Sequence, residues 1–249
     1  MGDRFGAPSH NTRKTVSVFG CFLFSKKEVF CMNSKTKKLT MLAMLCALAY
    51  AAVALLRIPV VLFLKYEPKD VVLTIGGFLF GPLASFCLSA LVSLVEMLTL
   101  SDTGLIGFAM NLLASCSFAC TAAWIYKKHH TLKGAVLGLC SGTVAMTALM
   151  ILWNYLITPI YMGYPREAVA ALLLPAFLPF NLLKGGLNTA LTLLIYKPVV
   201  RALRRANLIE PQKEAAPQIA RSRKIGLTLI SLLLLLTCIF FVLVLKGVL

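Results

Sequence analysis

The sequence predicts an all-α, polytopic membrane protein, and three observations support this fold class. Of its 249 residues, 59% are hydrophobic and only 14% are charged, whereas soluble domains average about 45–50% apolar and about 25% charged residues. The mean hydropathy is +0.85. Apolar runs long enough to cross a bilayer recur along the chain, separated by short polar connections. These features exclude a soluble globular enzyme and a disordered chain.

Six apolar segments are predicted before residue 205, and a seventh after it. The first, 39–56, follows a basic stretch at 35–38. The run 71–100 breaks at Gly81-Pro82, because proline removes a backbone donor and ends or kinks a helix. It is therefore predicted to contain two segments, the first shorter than a full span. The segments after the first are 71–81, 83–100, 105–125, 134–160, 168–197 and 225–245.

The short segment 71–81 indicates a binding site. Backbone that is broken or too short at membrane depth is tolerated only where protein or a cavity buries it. We therefore expect this part of the chain to lie inside the helix bundle, near the place where a ligand binds.

The distribution of Lys and Arg predicts a cytosolic N-terminus. Basic residues concentrate in the inner connections, as the positive-inside rule requires. The outer connections 57–70, 101–104 and 161–167 together carry as many acidic as basic residues. This alternation holds only if 71–81 and 83–100 are separate crossings.

The predicted domain organisation follows from these segments. Residues 1–38 form a cytosolic N-terminal extension, whose first 31 residues either belong to the mature chain or precede a natural start at Met32. The six-helix membrane domain occupies 39–205. A polar, basic linker, 206–224, leads to an additional transmembrane helix within 225–249.

The net charge of +16 does not indicate nucleic-acid binding, because the basic residues lie in short clusters that fix topology in the bilayer. The eight cysteines form no CxxC pair, so neither a disulfide framework nor a zinc site is expected. The sequence also lacks an HExxH, a GxSxG and a P-loop motif. We expect neither an enzyme nor a cofactor, and the chain cannot itself hydrolyse ATP.

Polar residues within the predicted spans mark the bundle interior or a ligand site, because they are costly in lipid. Lys184 is the most informative, since it lies near the middle of the sixth segment and needs an acceptor. That acceptor is either a ligand or Glu96, the carboxylate found within a span. Asn181 and Asn188 share a helix face with Lys184. The full set is Glu96, Asn111, Asn154, Asn181, Lys184 and Asn188.

Structural roles compete with ligand binding at several of these positions. Asn181 could instead make a helix–helix hydrogen bond. Asn154 lies between Trp153 and Tyr155, two aromatics that a membrane interface alone would explain. In the first segment Ala43, Ala47 and Ala51 form a small-residue stripe, which serves either packing within the bundle or docking of a separate membrane subunit.

Four motifs resemble one family of membrane proteins. They are FLKYEPKDV (63–71), GGFLFGPLASF (76–86), WNYLITPIYMG (153–163) and PFNLLKGGLNT (179–189). Together with the alanine stripe they resemble the riboflavin-specific substrate-binding subunit, or S component, of energy-coupling-factor (ECF) transporters. The resemblance covers about 39–205. It implies a six-helix S-component bundle, to which this chain adds one C-terminal helix.

The resemblance also implies a function, partners and site residues. Riboflavin would be captured from outside the cell as the transported substrate. A transmembrane T component and two ATP-binding cassette ATPases would power its release. The substrate would contact Asn154, Asn181 and Lys184, with Tyr66 and Glu67 in a closing loop at 65–70. Asn111 and Glu96 are further candidates for the site. The docking face would match Ala43, Ala47 and Ala51.

Three alternatives remain open. The chain could be an S component for a different vitamin. It could be a stand-alone secondary transporter, which would predict inverted repeats or a buried pair of titrating groups. It could also be a scaffolding membrane protein, which would bind no small ligand in stoichiometric amount.

Overall fold

The computed structural model describes residues 34–61, 64–100, 104–163 and 165–205, together with Ser231, Leu232 and Leu236. The predictions for the first 33 residues, for the linker 206–224 and for most of 225–249 lie outside the described residues. The chain divides into two units, Met1–Leu39 and Thr40–Leu249, and the second is described below.

The described residues form helices and one small hairpin, in agreement with the predicted all-α membrane fold. The elements in chain order are α1 (Ser34–Leu55), β1 (Ile58–Val61), β2 (Leu64–Tyr66), α2 (Lys69–Phe80), α3 (Pro82–Thr99), α4 (Gly104–Lys128), α5 (Leu132–Met162), α6 (Arg166–Leu172), a π-helical turn (Leu173–Phe177) and α7 (Leu178–Arg205).

Helix α2 is shorter than a full membrane span, as predicted. Its 12 residues span about 18 Å at 1.5 Å per residue, against a hydrocarbon core of about 30 Å. Gly81 has φ 96° between α2 and α3, a left-handed conformation that glycine adopts without a Cβ clash. Pro82 then begins α3, where its missing N–H costs nothing. Among the described residues, five stretches are long and apolar enough to span: 36–55, 82–99, 104–128, 132–160 and 166–203.

The bundle core is built on close helix contacts. A Cβ at Gly142 would lie 2.6 Å from the Phe118 carbonyl oxygen, and one at Gly138 would lie 2.8 Å from that of Ala122. The missing side chains therefore let α5 approach the backbone of α4. On the outside, leucines such as Leu55, Leu98 and Leu105 are exposed. In a membrane protein these faces meet lipid tails.

A second apolar cluster joins the hairpin to the first part of the predicted sixth segment, 168–197. On the hairpin it contains Val60, Leu64 and Tyr66. From α6, the π-turn and α7 come Val169, Phe177, Phe180, Leu183 and Leu187. The connection 57–70, predicted as a polar loop, contains two short strands. Its apolar residues pair β1 with β2 and bury one face, and its last two residues begin α2.

The predicted sixth segment, 168–197, is interrupted near its N-terminal end. The π-turn contains Pro175 and separates α6 from α7. Proline removes a backbone donor, and π-turns often occur at functional sites. The turn leads directly into the part of α7 that carries Asn181 and Lys184.

Candidate substrate-binding site

A buried ionic cluster lies at the end of the bundle where α1 ends and α2 begins. Arg57 contacts Glu67 (Nε–Oε1 2.8 Å) and Glu96 (Nη2–Oε1 3.1 Å). Lys69 contacts Glu67 (Nζ–Oε2 2.8 Å) and donates to Glu96 Oε2. Asn111 Nδ2 donates to Glu96 Oε1 at 3.0 Å. These groups join the segment after α1 to the start of α2 and to α3 and α4.

Asp70 extends the cluster to α7. The Ser115 hydroxyl donates to its Oδ1 at 2.6 Å, and Asn188 Nδ2 donates to its Oδ2 at 3.1 Å. Lys184 Nζ lies 3.5 Å from the same Oδ2, close enough for charge pairing but beyond a good hydrogen bond. The Tyr66 hydroxyl donates to Asn188 Oδ1 at 3.1 Å, so the hairpin is connected to α7 through this network.

The cluster balances its charges. Three cations (Arg57, Lys69 and Lys184) face three carboxylates (Glu67, Asp70 and Glu96). Balance is required because an unpaired buried charge is very costly. Lys69, Asp70 and Glu96 are fully buried.

Glu67 stays ionised in this setting. Burial alone would raise the pKa of its carboxyl group. The charges of Lys69, Lys184 and Arg57 outweigh that effect and lower the pKa to about 2. Glu67 is therefore a fixed negative charge at any physiological pH.

The two candidate asparagines are held by their own helices. Asn181 Nδ2 donates to the Phe177 carbonyl at 2.8 Å, and Asn154 Nδ2 donates to the Met150 carbonyl at 2.7 Å. Thr158 also donates to Asn154 Oδ1 at 3.0 Å. Within the described segments no group donates to Asn181 Oδ1. This orientation holds the side chain of the buried residue Asn181 on α7, about one helical turn before Lys184.

Comparison with known proteins identifies the family. The profile of the family described as "ECF transporter, substrate-specific component" matches residues 37–196. The chain belongs to this family.

Individual relatives agree with that assignment. The riboflavin transporter FmnP of Bacillus subtilis (strain 168) is 31% identical over 189 residues, which cover 70% of this chain and 99% of FmnP. The riboflavin transporter RibU of Staphylococcus aureus (strain TCH60) is 28% identical over 181 residues, covering 69% of this chain and 94% of RibU. One solved structure, described as "Structure and mechanism of the S component of a bacterial ECF transporter", has a TM-score of 0.59 and 28% identity. That match covers 69% of this chain and 99% of the other.

This S component uses Glu96 and Lys184 differently from the ion pair considered in the sequence analysis. Glu96 pairs with Arg57 and Lys69, whereas the carboxylate beside Lys184 is Asp70. The idea that Glu96 would compensate Lys184 was therefore wrong. Lys184 pairs with Asp70 because Asp70 lies at the start of a short buried helix and not in a solvated loop.

Sequence reasoning missed four members of the cluster: Arg57, Lys69, Asp70 and Ser115. The first three were assigned to an outer polar loop. Ser115 was not considered, because it is a small residue within an apolar span. The available signal was the length of α2. Because that helix is shorter than a full span and is buried in the bundle, the charged residues of its first turn are buried with it.

The alanine stripe of this S component faces outward. On α1 the buried residues are Met41, Leu45, Ala49 and Val53. Ala43 and Ala47 are exposed, and Ala51 is half-buried. Ala43 and Ala47 therefore do not pack inside the described bundle. They form a surface of small residues that faces the membrane.

A groove of about 660 Å³ lies at the turn between α4 and α5 and includes His129, Lys133 and Leu137. It lies where α4 ends and α5 begins, whereas Asn111 and Asn154 lie toward the opposite ends of these helices. We do not assign it to substrate binding.

Proposed function

We propose that this chain is the high-affinity riboflavin-binding subunit of an ECF-type vitamin importer. The observation that carries the proposal is a set of buried polar groups: Asn154 on α5, and Asn181 and Lys184 on α7, the helix that packs against the hairpin β1–β2. Family membership supplies the transport role, and the relatives named as riboflavin transporters are matched over nearly their whole length.

The chemistry of the flavin suits these groups. An isoalloxazine ring presents a carbonyl and imide edge, which needs directed hydrogen bonds inside an otherwise apolar slot. Asn181 Oδ1 can accept from the imide N–H, and Lys184 can donate to a ring carbonyl. Asn154 would contact the opposite part of the ring from α5.

The remaining predicted residues support the site in this proposal. Tyr66 reaches Asn188 from the hairpin and would hold the closed loop over the substrate. Glu67, Glu96 and Asn111 belong to the ionic cluster and would fix the hairpin base and α2. The polar outer segment would also supply hydroxyl partners for the ribityl chain.

Transport requires partners that this chain does not contain. We propose that a T component docks on α1 at Ala43, Ala47 and Ala51, where Ala43 and Ala47 are exposed, and that two ATP-binding cassette ATPases supply the energy. We further propose that the N-terminus is cytosolic, that 39–205 is the binding domain, and that the helix predicted within 225–249 is an appendage to it.

A competition experiment tests the substrate. Purified, flavin-stripped protein is saturated with riboflavin, and other water-soluble vitamins are added in excess while flavin fluorescence is followed. The proposal predicts quenching on binding and no displacement by the other vitamins. If another vitamin displaces riboflavin, or if folded protein does not quench flavin fluorescence, the substrate is a different vitamin and the assignment of riboflavin is wrong.

A further inference from the structure

The groove where α4 ends and α5 begins is polar at one end and apolar at the other. Its volume of about 660 Å³ is within the range of about 300–1,000 Å³ that small-molecule sites have. His129, Thr131 and Lys133 line it at the turn between the helices, and Leu137 and Cys140 line it farther along α5. Lys133, Leu137 and Cys140 share one face of α5, because they are four and three residues apart. The groove therefore extends from a cation for about 10 Å along an apolar helix face.

Two contacts indicate how deep this groove lies in the membrane. Trp124 is exposed, and Lys128 Nζ lies 3.7 Å from the centre of its ring. Exposed tryptophans concentrate at the level of the lipid headgroups. A Cβ at Gly138 would lie 2.8 Å from the carbonyl oxygen of Ala122, so this part of α5 packs on α4 at a deeper level than Trp124. The apolar half of the groove is thus at the depth of acyl chains, and its polar half is at the depth of headgroups.

This end of the bundle carries an excess of positive charge. Three exposed lysines lie at the turn: Lys127, Lys128 and Lys133. None of the residues from 103 to 166 is Asp or Glu. The hydroxyls of Tyr126 and Tyr196 lie 2.8 Å apart in a hydrogen bond, so the last part of α7, with the exposed Arg201, adds its charge to the same end. An anion is therefore the ligand that this surface attracts.

We propose that the groove binds an anionic phospholipid of the adjoining leaflet, with its phosphate at Lys133 and the upper part of an acyl chain along Leu137 and Cys140. A phosphate accepts charge-assisted hydrogen bonds from a lysine ammonium, and His129 and Thr131 supply further donors at the same end. Basic pockets between transmembrane helices bind anionic headgroups in other membrane proteins. A free phosphate would use only the polar half of the groove, whereas a lipid uses both halves.

The experiment measures the dissociation constant of the first lipid that binds to the full, delipidated chain, by native mass spectrometry. Dioleoyl phosphatidylglycerol is the anionic probe. Dioleoyl phosphatidylcholine has the same acyl chains and no net charge. We expect the wild type to bind the anionic lipid at least about tenfold more tightly. Lys133→Gln should weaken binding of the anionic lipid at least about fivefold, the effect of about one lysine near a membrane surface.

Two further variants separate the groove from the charge around it. Leu137→Trp fills the groove without changing the charge and should weaken binding of both lipids at least about fivefold. The side chain of Leu137 is 60% exposed, so the larger ring does not enter the core. Lys127→Gln is the matched control, because it removes the same charge from an exposed residue outside the groove. At 0.15 M ionic strength, where the Debye length is about 8 Å, it should change the affinity less than about twofold.

Three results would overturn the inference. Equal affinity for the two lipids shows that the groove does not recognise charge. Equal losses in Lys127→Gln and Lys133→Gln show a diffuse attraction, and unchanged binding in Leu137→Trp shows that the groove is not the site. Melting temperatures without lipid check folding, and Cys140→Phe replaces Leu137→Trp if that variant does not fold, with the same expected loss. The lipid measurement is independent of the flavin, because the groove lies at the opposite end of α5 from Asn154.

Discussion

Removing the carboxylate of Asp70 tests whether it compensates the buried charge of Lys184 and so stabilises the fold. Asp70 is fully buried and Lys184 is 7% exposed. Breaking a buried ion pair by removing one partner costs about 3–5 kcal/mol, because the remaining charge is uncompensated. The 3.5 Å separation places Asp70→Asn at the low end, about 3 kcal/mol. For a chain of this size that lowers the melting temperature by about 6–12 °C.

A double-mutant cycle gives the decisive comparison. Melting temperatures are measured in detergent, without flavin, for Asp70→Asn, Lys184→Met and the double variant. The double variant removes both charges and is expected to be less destabilised than the sum of the two single variants by at least about 1 kcal/mol. Glu167→Gln is the control and should melt within about 1 °C of the wild type, because its carboxylate is exposed. Additive effects of the two substitutions would refute the pairing of Asp70 with Lys184.

Three further perturbations have defined outcomes. In Gly185→Ala the new Cβ would lie 2.3 Å from Thr143 Cγ2. The resulting overpacking, which costs about 1–3 kcal/mol, should lower both the melting temperature and the flavin affinity. Adding Thr143→Ala should recover part of each. Arg57→Gln removes contacts to Glu67, Glu96 and the Leu100 carbonyl and should destabilise by about 2–3 kcal/mol; a melting curve that matches the wild type would contradict this. Because the pKa of Glu67 is lowered to about 2, its stabilisation is present above the ordinary glutamate pKa of about 4.3 and is lost as the pH falls toward 2. The difference in melting temperature between wild type and Glu67→Gln should therefore be constant from pH 5 to 8 and shrink below pH 4, and a difference that grows on acidification would contradict the assignment.

Hydropathy alone predicted most of the fold. The boundaries of the long helices follow from apolar length, and the break at Gly81-Pro82 follows from backbone chemistry, so these features are encoded locally. The hairpin was not predicted, because β1 and β2 are short. Its apolar face is explained only by Val169 and the neighbouring residues of α6 and α7, which are distant in sequence.

The site was predicted only in part, because its ionic pairs also join residues that are distant in sequence. The cost of a polar group in lipid singled out Lys184, Asn181 and Glu96 from the sequence. Their ionic partners could not be chosen in this way, because each pairing depends on the three-dimensional arrangement. Lys69 meets Glu96 across 27 positions and Asp70 meets Asn188 across 118. The connection 57–70 was interpreted as a solvated loop because it carries both acidic and basic residues. In the structure, buried partners compensate these charges.

The central claim is that Asn181 and Lys184 form a riboflavin site on α7. Its most direct test is a fluorescence titration of purified, flavin-stripped protein with riboflavin, for the wild type and for Asn181→Ala/Lys184→Ala. We expect the wild type to saturate near one flavin per chain with nanomolar affinity, and the folded double variant to bind at least about 1,000-fold more weakly, a loss of about 4 kcal/mol. Riboflavin affinity that survives both substitutions would contradict the assignment of the site.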